Sequence, residues 1–389
     1  MKKTFGIGGV CLLAALSFFY YGCSSSGDGG DSIARTETIT YSGPGSFMKA
    51  TLNADGTGSI EIREMHTDVD PLMTVAVDFE EVDDTGVLEF TVTGVDPEDI
   101  DDGPTIGAKA HAIEILGFGL FMLPLGGDEI LPMLTAGDCA TEDFTANWIQ
   151  AQGGGDSDAS SEDRDFFGTF SYDISENTGE VTSKNALTDG FPDIAVEGQE
   201  SITGSCENGL MSLEEDGDPV ALMFLTDNGG AIVQTFELNE ETEEFETGSA
   251  IVAFPKQVNS IEGLEGTFRG ILFQGGENNN SEDANNFFVE MTFDDAGQGT
   301  GRQVTQVNPW ETGDDAATIS LAASDIGDGW YTGTLDVPDE ASANIACSFI
   351  ENIEDSTTDA LLCVGQSPGD LAEASDQVGA INFLMVKQD

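Results

Sequence analysis

Histidine most often performs acid–base chemistry near neutral pH, and this 389-residue chain contains two, His66 and His111. His66 ends a predicted hairpin strand and His111 alternates with small residues, so we expect both at the surface or at a rim. No His-Glu-x-x-His motif and no phosphate-binding glycine loop accompanies them. Carboxylate pairs abound among 73 acidic residues, and none is singled out. The sequence therefore predicts no catalytic residue. A secreted, glycan-cleaving hydrolase with a carboxylate pair is the alternative.

Acidic side chains are concentrated at residues 96–102, where the candidate metal ligands are Asp96, Glu98, Asp99, Asp101 and Asp102. Calcium binds six to eight oxygen atoms, and a bound cation would relieve the repulsion among these carboxylates. The same composition is typical of a solvated acidic loop, so both interpretations stay open. Residues 53–58 also resemble a calcium loop in spacing, but their strand-like flanks favour a hairpin turn. Calcium is the one cofactor that the sequence suggests.

Short alternating or apolar runs, separated by Gly, Asn and Asp, occupy most of the chain. Turn-forming clusters at residues 53–58, 176–179 and 294–299 are each flanked by such runs. Gly, Asn and Asp tolerate positive φ, so these clusters predict β-hairpins. No amphipathic helix of 12 or more residues is evident. The sequence predicts an all-β protein of tandem antiparallel meander or barrel-like modules.

A weak internal repeat suggests three modules. Openings at residues 45–47, 168–170 and 266–268 are alike, and so are closings at 147–152, 251–257 and 382–388. The expected division is module 1 at 36–152, a Gly/Ser/Asp linker at 153–164, module 2 at 165–257 and module 3 at 262–389. Module 3 shows eight successive strand patterns, so its architecture resembles the lipocalin-like up-and-down barrels. A two-sheet β-sandwich is the alternative.

The start of the chain has the pattern of a secretory signal. Lys2 and Lys3 precede an apolar run at residues 7–19, which is too short to span a bilayer about 30 Å thick, and Cys23 follows. The segment resembles a bacterial lipoprotein signal, which implies a signal peptide at 1–22, a lipidated Cys23 and a flexible tether at 23–35. By the same resemblance, Ser24 implies the outer membrane, because the inner-membrane retention signal is an Asp at that position.

The other cysteines, apart from Cys11 in the signal, are predicted to form two disulfides, since export leads to an oxidising compartment. Cys347 and Cys363 lie on successive predicted strands, opposite each other about the hairpin, so we expect them to pair. That leaves Cys139 with Cys206. The second bridge is expected to staple modules 1 and 2, leaving module 3 as a separable domain.

The charge of the chain limits its partners. The formal net charge is −61, and loss of Lys2 and Lys3 with the signal would make it −63. Nucleic acids are held by Lys and Arg, so nucleic acid is excluded as a partner. The expected partners are the membrane, through the lipid anchor, and either a small apolar ligand or an envelope protein.

The most apolar stretch outside the signal is residues 115–125. Its glycines and proline oppose a helix, so we expect a strand buried on both faces, with the wall of a ligand pocket as the alternative. Trp310 and Trp330 could line a similar cavity. Together these features predict a lipid-anchored, acidic cell-envelope protein whose β modules have a non-catalytic binding or structural role.

Overall fold

A computed structural model of the chain describes residues 37–43, 48–63, 71–82, 85–96, 104–123, 131–135, 139–150, 167–184, 196–207, 209–215, 218–226, 230–239, 244–274, 285–324, 329–338, 342–352, 358–366 and 381–388. These residues form 24 β-strands and one short 3₁₀ helix, Ile261–Leu264. The strands make three closed antiparallel barrels of eight strands each. The all-β prediction is confirmed, and the barrel is the correct alternative to the sandwich.

Barrel 1 is an up-and-down barrel in which each strand pairs with its neighbours in sequence. Its strands are β1 (Ile39–Ser42), β2 (Met48–Leu52), β3 (Thr57–Ile62), β4 (Met73–Glu81), β5 (Val87–Asp96), β6 (Lys109–Ile115), β7 (Gly119–Leu123) and β8 (Leu131–Thr135). In the described residues β1 meets β8 through two pairs, Tyr41 with Thr135 and Ser42 with Leu134. The buried Tyr41 hydroxyl also donates a hydrogen bond to the Glu114 carboxylate on β6. Barrel 1 therefore closes over a short seam.

Barrel 2 has the same topology and a longer seam. Its strands are β9 (Phe144–Gln150), β10 (Phe167–Asp173), β11 (Thr178–Lys184), β12 (Val196–Glu207), β13 (Leu210–Glu215), β14 (Asp218–Leu225), β15 (Ala231–Asn239) and β16 (Glu244–Pro255). Strand β9 closes the barrel against β16 through five residue pairs, from Ile251 with Gln150 to Pro255 with Ala146.

Barrel 3 contains the eight strands that the sequence predicts for module 3. They are β17 (Gly266–Gln274), β18 (Asn285–Phe293), β19 (Gln298–Gln306), β20 (Glu311–Ala323), β21 (Trp330–Asp336), β22 (Ala343–Ile350), β23 (Ala360–Gln366) and β24 (Ile381–Lys387). Strands β17 and β24 close it through seven pairs, from Phe268 with Lys387 to Gln274 with Ile381.

The three turn clusters that the sequence predicts each join two strands of a hairpin: β2 to β3, β10 to β11, and β18 to β19. In barrel 1 the amide of Asn53 donates to the carbonyl of Thr57, and Gly56 adopts φ +81°. In barrel 3 Asp294 and Gln298 form the same bond, and Gly297 adopts φ +76°. A glycine with positive φ at the end of a three-residue loop matches the right-handed twist of the two strands. The hairpin interpretation of residues 53–58 is confirmed.

The boundary between the first two modules differs from the expected one. Strand β9 pairs with β10 and β16, so it is the first strand of barrel 2 and not the last strand of module 1. Residues 153–164 therefore lie within the connection of two neighbouring strands in one barrel, and do not link two modules. The repeat misleads because β9, β16 and β24 share an apolar pattern with a Gln at or just beyond the strand end. The hairpins show where each repeat begins, because β2–β3, β10–β11 and β18–β19 are the second and third strands of their barrels once β9 is counted as the first strand of barrel 2.

The interiors of barrels 1 and 3 are filled with side chains. Alternate residues point inward, as they must in a barrel strand. Large buried residues occupy both interiors: Tyr41, Phe79 and Phe90 in barrel 1, and Phe268, Phe349 and Phe383 in barrel 3. An eight-stranded barrel is just wide enough to be filled in this way. These two barrels are packed cores.

A further apolar core lies outside the barrels, where all three meet. Phe118 of barrel 1 packs on Phe254 of barrel 2, with ring centroids 4.7 Å apart. Phe167 of barrel 2 packs on Trp330 of barrel 3 at 4.8 Å. The third contact joins His111 of barrel 1 to Phe288 of barrel 3, edge to face, at 5.7 Å. We call this cluster the shared core. It makes the three barrels one packed body.

Barrel 3 is not the separable domain that the cysteine argument implies. Asn147 of β9 is fully buried and donates to the carbonyl of Gly329 and to the Ser348 hydroxyl, both at 3.3 Å. After β16 the side-chain amide of Gln257 donates to the backbone carbonyl of Glu351 at 3.2 Å and accepts from the backbone amide of Glu351 at 2.9 Å. These are the two bonds that the backbone of a neighbouring strand would make. The connection between barrels 2 and 3 is thus bonded to barrel 3.

Candidate functional site

Several residues that the sequence singles out lie outside the described residues. They are Cys23, His66, Glu98, Asp99, Asp101 and Asp102. Asp96 is the last residue of β5, in register with Thr74 of β4. Among the described residues no group of three or more His, Cys, Asp or Glu could hold a metal ion. Calcium binding at residues 96–102 therefore stays a prediction.

The four cysteines of the body pair as the sequence predicts. Cys347 and Cys363 are opposite each other on β22 and β23 and form a disulfide with Cα atoms 4.0 Å apart. Cys139 and Cys206 form the other, with Cα atoms 5.9 Å apart. Because β9 belongs to barrel 2, this second bridge ties the segment that enters barrel 2 to strand β12 of the same barrel. It does not staple two modules.

The apolar run at residues 115–125 is described as far as residue 123, and its strand β7 is buried on both faces, as expected, whereas Leu116 in the preceding turn is 45% exposed. The run covers the end of β6, a turn and then β7, in which every residue is buried. Leu120 and Met122 point into barrel 1, whereas Phe121 packs into the shared core. Trp330 also fills the shared core, and Trp310 packs edge to face on Phe288 at 6.0 Å. Packing within the barrels and in the shared core accounts for these residues. No helix in the described part of the chain is both long and apolar enough to span a bilayer.

A polar cluster lies at the contact between barrels 1 and 3, and we call it the polar junction. It consists of Glu89 on β5 with Lys109 and His111 on β6, all on the outer face of barrel 1. The Glu89 carboxylate accepts a hydrogen bond from the Lys109 ammonium and lies 3.2 Å from Nε2 of His111. The Glu89 side chain is 7% exposed and that of His111 is 14% exposed. His111 is therefore partly buried, with its ring against Phe288 of barrel 3, and the expectation that it faces solvent is wrong.

The electrostatics of the polar junction follow from these bonds. The hydrogen bond from His111 lowers the pKa of Glu89 to about 2; burial opposes this shift, and Lys109 adds to it. A carboxyl with this pKa is ionised at neutral pH and cannot donate a proton as a general acid. Its oxygens are also occupied by Lys109 and His111. These bonds join β5 to β6 within barrel 1 and hold the His111 ring in place against Phe288 of barrel 3.

Barrel 3 continues the junction with a second ion pair. Arg269 donates through Nε to Glu290 at 2.8 Å, and the indole of Trp310 donates to the same carboxylate oxygen at 3.0 Å. The Arg269 guanidinium lies over the Trp310 ring, 5.1 Å from its centroid. Such a cation–π contact contributes about 0.5–2 kcal/mol, depending on how dry it is. The sequence does not reveal either cluster, because Glu89 and His111 are far apart in the chain and meet only through strand pairing.

Replacing Glu89 by Gln tests the polar junction. Because the folded-state pKa of Glu89 is lowered from 4.5 to about 2, its charge stabilises the protein above pH 4.5. That contribution is lost as the pH falls toward 2. Glu89→Gln should therefore cost about 2 kcal/mol of unfolding free energy at pH 7, and the difference from wild type should vanish near pH 2. Urea titrations of both proteins across this range measure it.

The matched control is Glu61→Gln, which removes a more exposed carboxylate paired with Arg63 at 3.0 Å. Titration of the many other acids is common to the variants and cancels in the difference. Glu61→Gln should change the unfolding free energy by less than about 1 kcal/mol. A pH-independent loss in Glu89→Gln would contradict the charged role of Glu89.

One serine motif matches the sequence pattern of a nucleophile elbow but not the fold that surrounds one. Gly365-Gln366-Ser367-Pro368-Gly369 matches Gly-x-Ser-x-Gly, and Ser367 lies outside the described residues. The elbow requires a strand followed by a helix in an α/β sheet. Here the motif begins with the last two residues of β23, and the next described element is β24, its antiparallel partner in a closed barrel. The surrounding fold does not support a hydrolase nucleophile at Ser367.

Comparison with known proteins gives neither a family nor a relative. No family model matches the chain, and no curated protein matches it. Among solved structures it is similar to two mutant forms of the vaccine antigen transferrin binding protein B from Haemophilus parasuis. The first is 10% identical, and the match covers 88% of this chain and 65% of that one, with a TM-score of 0.29. The second is 9% identical and covers 92% and 77%, with a TM-score of 0.28.

A protein of unknown function from Nostoc punctiforme is 12% identical, and the match covers 64% of this chain and 96% of that one, with a TM-score of 0.22. The chain spans about two thirds of the first protein's length. These scores are too low to transfer a partner or an activity. The arguments about function therefore rest on the chain's own residues.

Proposed function

We propose that this protein is a lipid-anchored, non-catalytic component of a bacterial cell envelope, in which three barrels form a rigid body that binds a ligand or partner or serves a structural role. The observation that carries the proposal is the shared core, in which aromatic pairs such as Phe118–Phe254 and Phe167–Trp330 join the barrels. A body joined in this way holds its surfaces in fixed relative positions, as binding and envelope architecture both require.

The charges of the described residues support a binding or structural role. Several cationic side chains are engaged within the molecule: Arg63, Arg269 and Lys387 with carboxylates, and Arg302 with the backbone carbonyl of Gly313 at 3.0 Å. The chain has 73 acidic residues against 12 Lys and Arg, a formal net charge of −61, so its charge is mainly negative. Such a field repels nucleic acids and favours partners with a cationic surface. The Glu89 carboxylate, whose pKa is lowered to about 2, is engaged with Lys109 and His111 of the same barrel.

The anchor is tested by acyl labelling. If Cys23 carries the lipid, cells grown with a clickable palmitate analogue should label the wild-type protein, and the labelled protein should fractionate with the outer membrane. Cys23→Ser should abolish the label and release the protein from the membrane, because a stable anchor depends on the buried acyl methylenes, each worth about 0.8 kcal/mol. Cys11→Ser, a change within the signal, should leave labelling unchanged. Label that persists in Cys23→Ser would refute the anchor.

A further inference from the structure

The two disulfides differ in how easily a reductant can reach them. Cys347 and Cys363 are 0% exposed and belong to the packed interior of barrel 3. Cys139 and Cys206 are each partly exposed. Thiol–disulfide exchange begins when a thiolate attacks a sulfur of the bridge, so its rate depends on access to that sulfur. In the folded protein the Cys139–Cys206 bridge is therefore open to exchange, and the Cys347–Cys363 bridge is shielded from it.

The exposed bridge fastens a short segment, residues 139–143, that we call the strap. The strap leads into Phe144, the first residue of β9, and its other end is bonded to Cys206, the last residue but one of β12. Strand β12 is three strands away from β9 around barrel 2, and both residues lie at the same end of the barrel, because successive strands are antiparallel. Eight strands about 4.8 Å apart and tilted by about 40° form a barrel about 16 Å across, whereas five extended residues span about 17 Å. The strap is therefore long enough to cross this end of barrel 2.

Inward contacts place the strap over the end of the barrel. Cys206 is the strand partner of Met211, a residue of the inward cluster of barrel 2, and both Cys206 and Ala140 pack against this cluster. Near the start of β9, Oδ1 of Asp143 accepts a hydrogen bond from the backbone amide of Ile174, in the β10–β11 turn, at 3.0 Å. The strap thus lies across the end of barrel 2, with the bridge on one side and this hydrogen bond on the other.

Apart from the bridge, the described contacts of the strap are weak. Ala140 has a small side chain, and Thr141, Glu142 and Asp143 are exposed. An exposed hydrogen bond adds little net stability, since water competes for both partners, and holding each residue in one conformation costs backbone entropy. The covalent bridge therefore keeps the strap in place. Barrel 2 itself closes through the backbone bonds of β9 with β10 and β16, which begin after the strap.

We propose that the Cys139–Cys206 bridge is a site of thiol–disulfide exchange, and that its reduction by a dithiol releases the strap while barrel 2 stays folded. One thiolate of the dithiol attacks a sulfur of the bridge, forms a mixed disulfide and expels the other cysteine as a thiolate. The second thiol of the dithiol then displaces the cysteine that is held in the mixed disulfide. The dithiol ends as a disulfide, oxidised by two electrons, and its two protons pass to the thiols of Cys139 and Cys206. The site is independent of the lipid anchor and adds a redox response to the proposed function.

Reduction under native conditions tests the exchange. The purified protein is treated with dithiothreitol, a dithiol, and the free thiols are alkylated with iodoacetamide and mapped by mass spectrometry. Cys139 and Cys206 should be alkylated at least about 10-fold faster than Cys347 and Cys363, which a reductant reaches only when barrel 3 opens. In urea all four cysteines should react at similar rates.

Cleavage after Glu142 by a Glu-specific protease reports whether the strap is released. A protease needs a mobile segment, so cleavage at this bond should be at least about 10-fold faster after reduction. Glu142→Gln should abolish this cut and leave the other cuts unchanged. Cys139→Ser together with Cys206→Ser should give the fast cleavage without dithiothreitol, which should then change it no further. The β-sheet circular dichroism should be the same in all these samples.

Each part of the proposal can fail separately. The exchange site is refuted if dithiothreitol leaves Cys139 and Cys206 oxidised, or if Cys347 and Cys363 react as fast as they do. Release of the strap is refuted if cleavage after Glu142 is equally fast before and after reduction, or if reduction abolishes the β-sheet circular dichroism. If the double serine variant fails to fold, the comparison of oxidised and reduced wild-type protein still decides.

Discussion

Replacing Trp330 by alanine is expected to lower the unfolding free energy by about 3–5 kcal/mol and to destabilise all three barrels together. Trp330 is 2% exposed and packs on Phe167 of barrel 2, in the shared core that also contains residues of barrel 1. Its removal leaves a cavity that this core can close only in part. Urea unfolding followed by circular dichroism gives the loss in free energy. Hydrogen exchange measured on peptides from each barrel shows which barrels lose protection.

The control for Trp330→Ala is Val258→Ala, in the connection between barrels 2 and 3. Val258 is 68% exposed, so this change should cost less than about 0.5 kcal/mol. If the shared core couples the barrels, Trp330→Ala should accelerate exchange in strands of barrels 1 and 2 as well as in barrel 3. Faster exchange confined to barrel 3 would show that the barrels unfold independently and would contradict the single packed body.

Gly333→Ala is expected to prevent barrel 3 from closing. Gly333 lies on β21 opposite Leu321 of β20, and a Cβ atom there would be 1.6 Å from the carbonyl oxygen of Ser320. The obstacle is backbone, so no side-chain rotation relieves it, and the two strands would have to separate. We expect a loss of more than about 4 kcal/mol, the range of the most damaging substitutions. Thermal unfolding and exchange across β20 and β21 measure it.

Gly313→Ala is the matched control, because it adds the same methyl group to β20. There the nearest atom, Cγ2 of Thr305, would be 3.5 Å from the new Cβ, an ordinary contact. This variant should differ from wild type by less than about 1 kcal/mol and can even be more stable, since alanine restricts the unfolded chain. Similar melting temperatures for the Gly333 and Gly313 variants would contradict the close approach of β20 and β21 at residue 333.

Local patterns were sufficient to predict barrel 3 strand by strand. Its strands are short alternating or apolar runs, and turns such as the one ending at Gly297 require a glycine with positive φ. The Cys347–Cys363 pair could be predicted for the same reason, because hairpin geometry is local. Strand β9 was assigned to the wrong module because closure depends on a partner, β16, that begins 94 residues after Gln150 ends β9.

The contacts between barrels could not be predicted from local patterns. Phe121 packs outside barrel 1, yet in the sequence it resembles its neighbours Leu120 and Met122, which point inside. A strand that is apolar on both faces shows that something covers its outer face, but not which surface does so. His111 was placed at the surface for the same reason. Its neighbours in sequence are small, and the groups that bury it, Glu89 and Phe288, come from other strands and another barrel.

The seams that close the barrels have a mechanical consequence. In the described residues, β1 holds β8 through two residue pairs, whereas the closing strands of barrels 2 and 3 share five and seven pairs. A pull on the chain from its N-terminal side reaches β1 first, and this strand carries the load on the fewest backbone bonds. To leave the barrel, β1 must also break the hydrogen bond between Tyr41 and Glu114 in the barrel interior. We therefore expect the seam of barrel 1 to be the first part of the molecule to yield under tension.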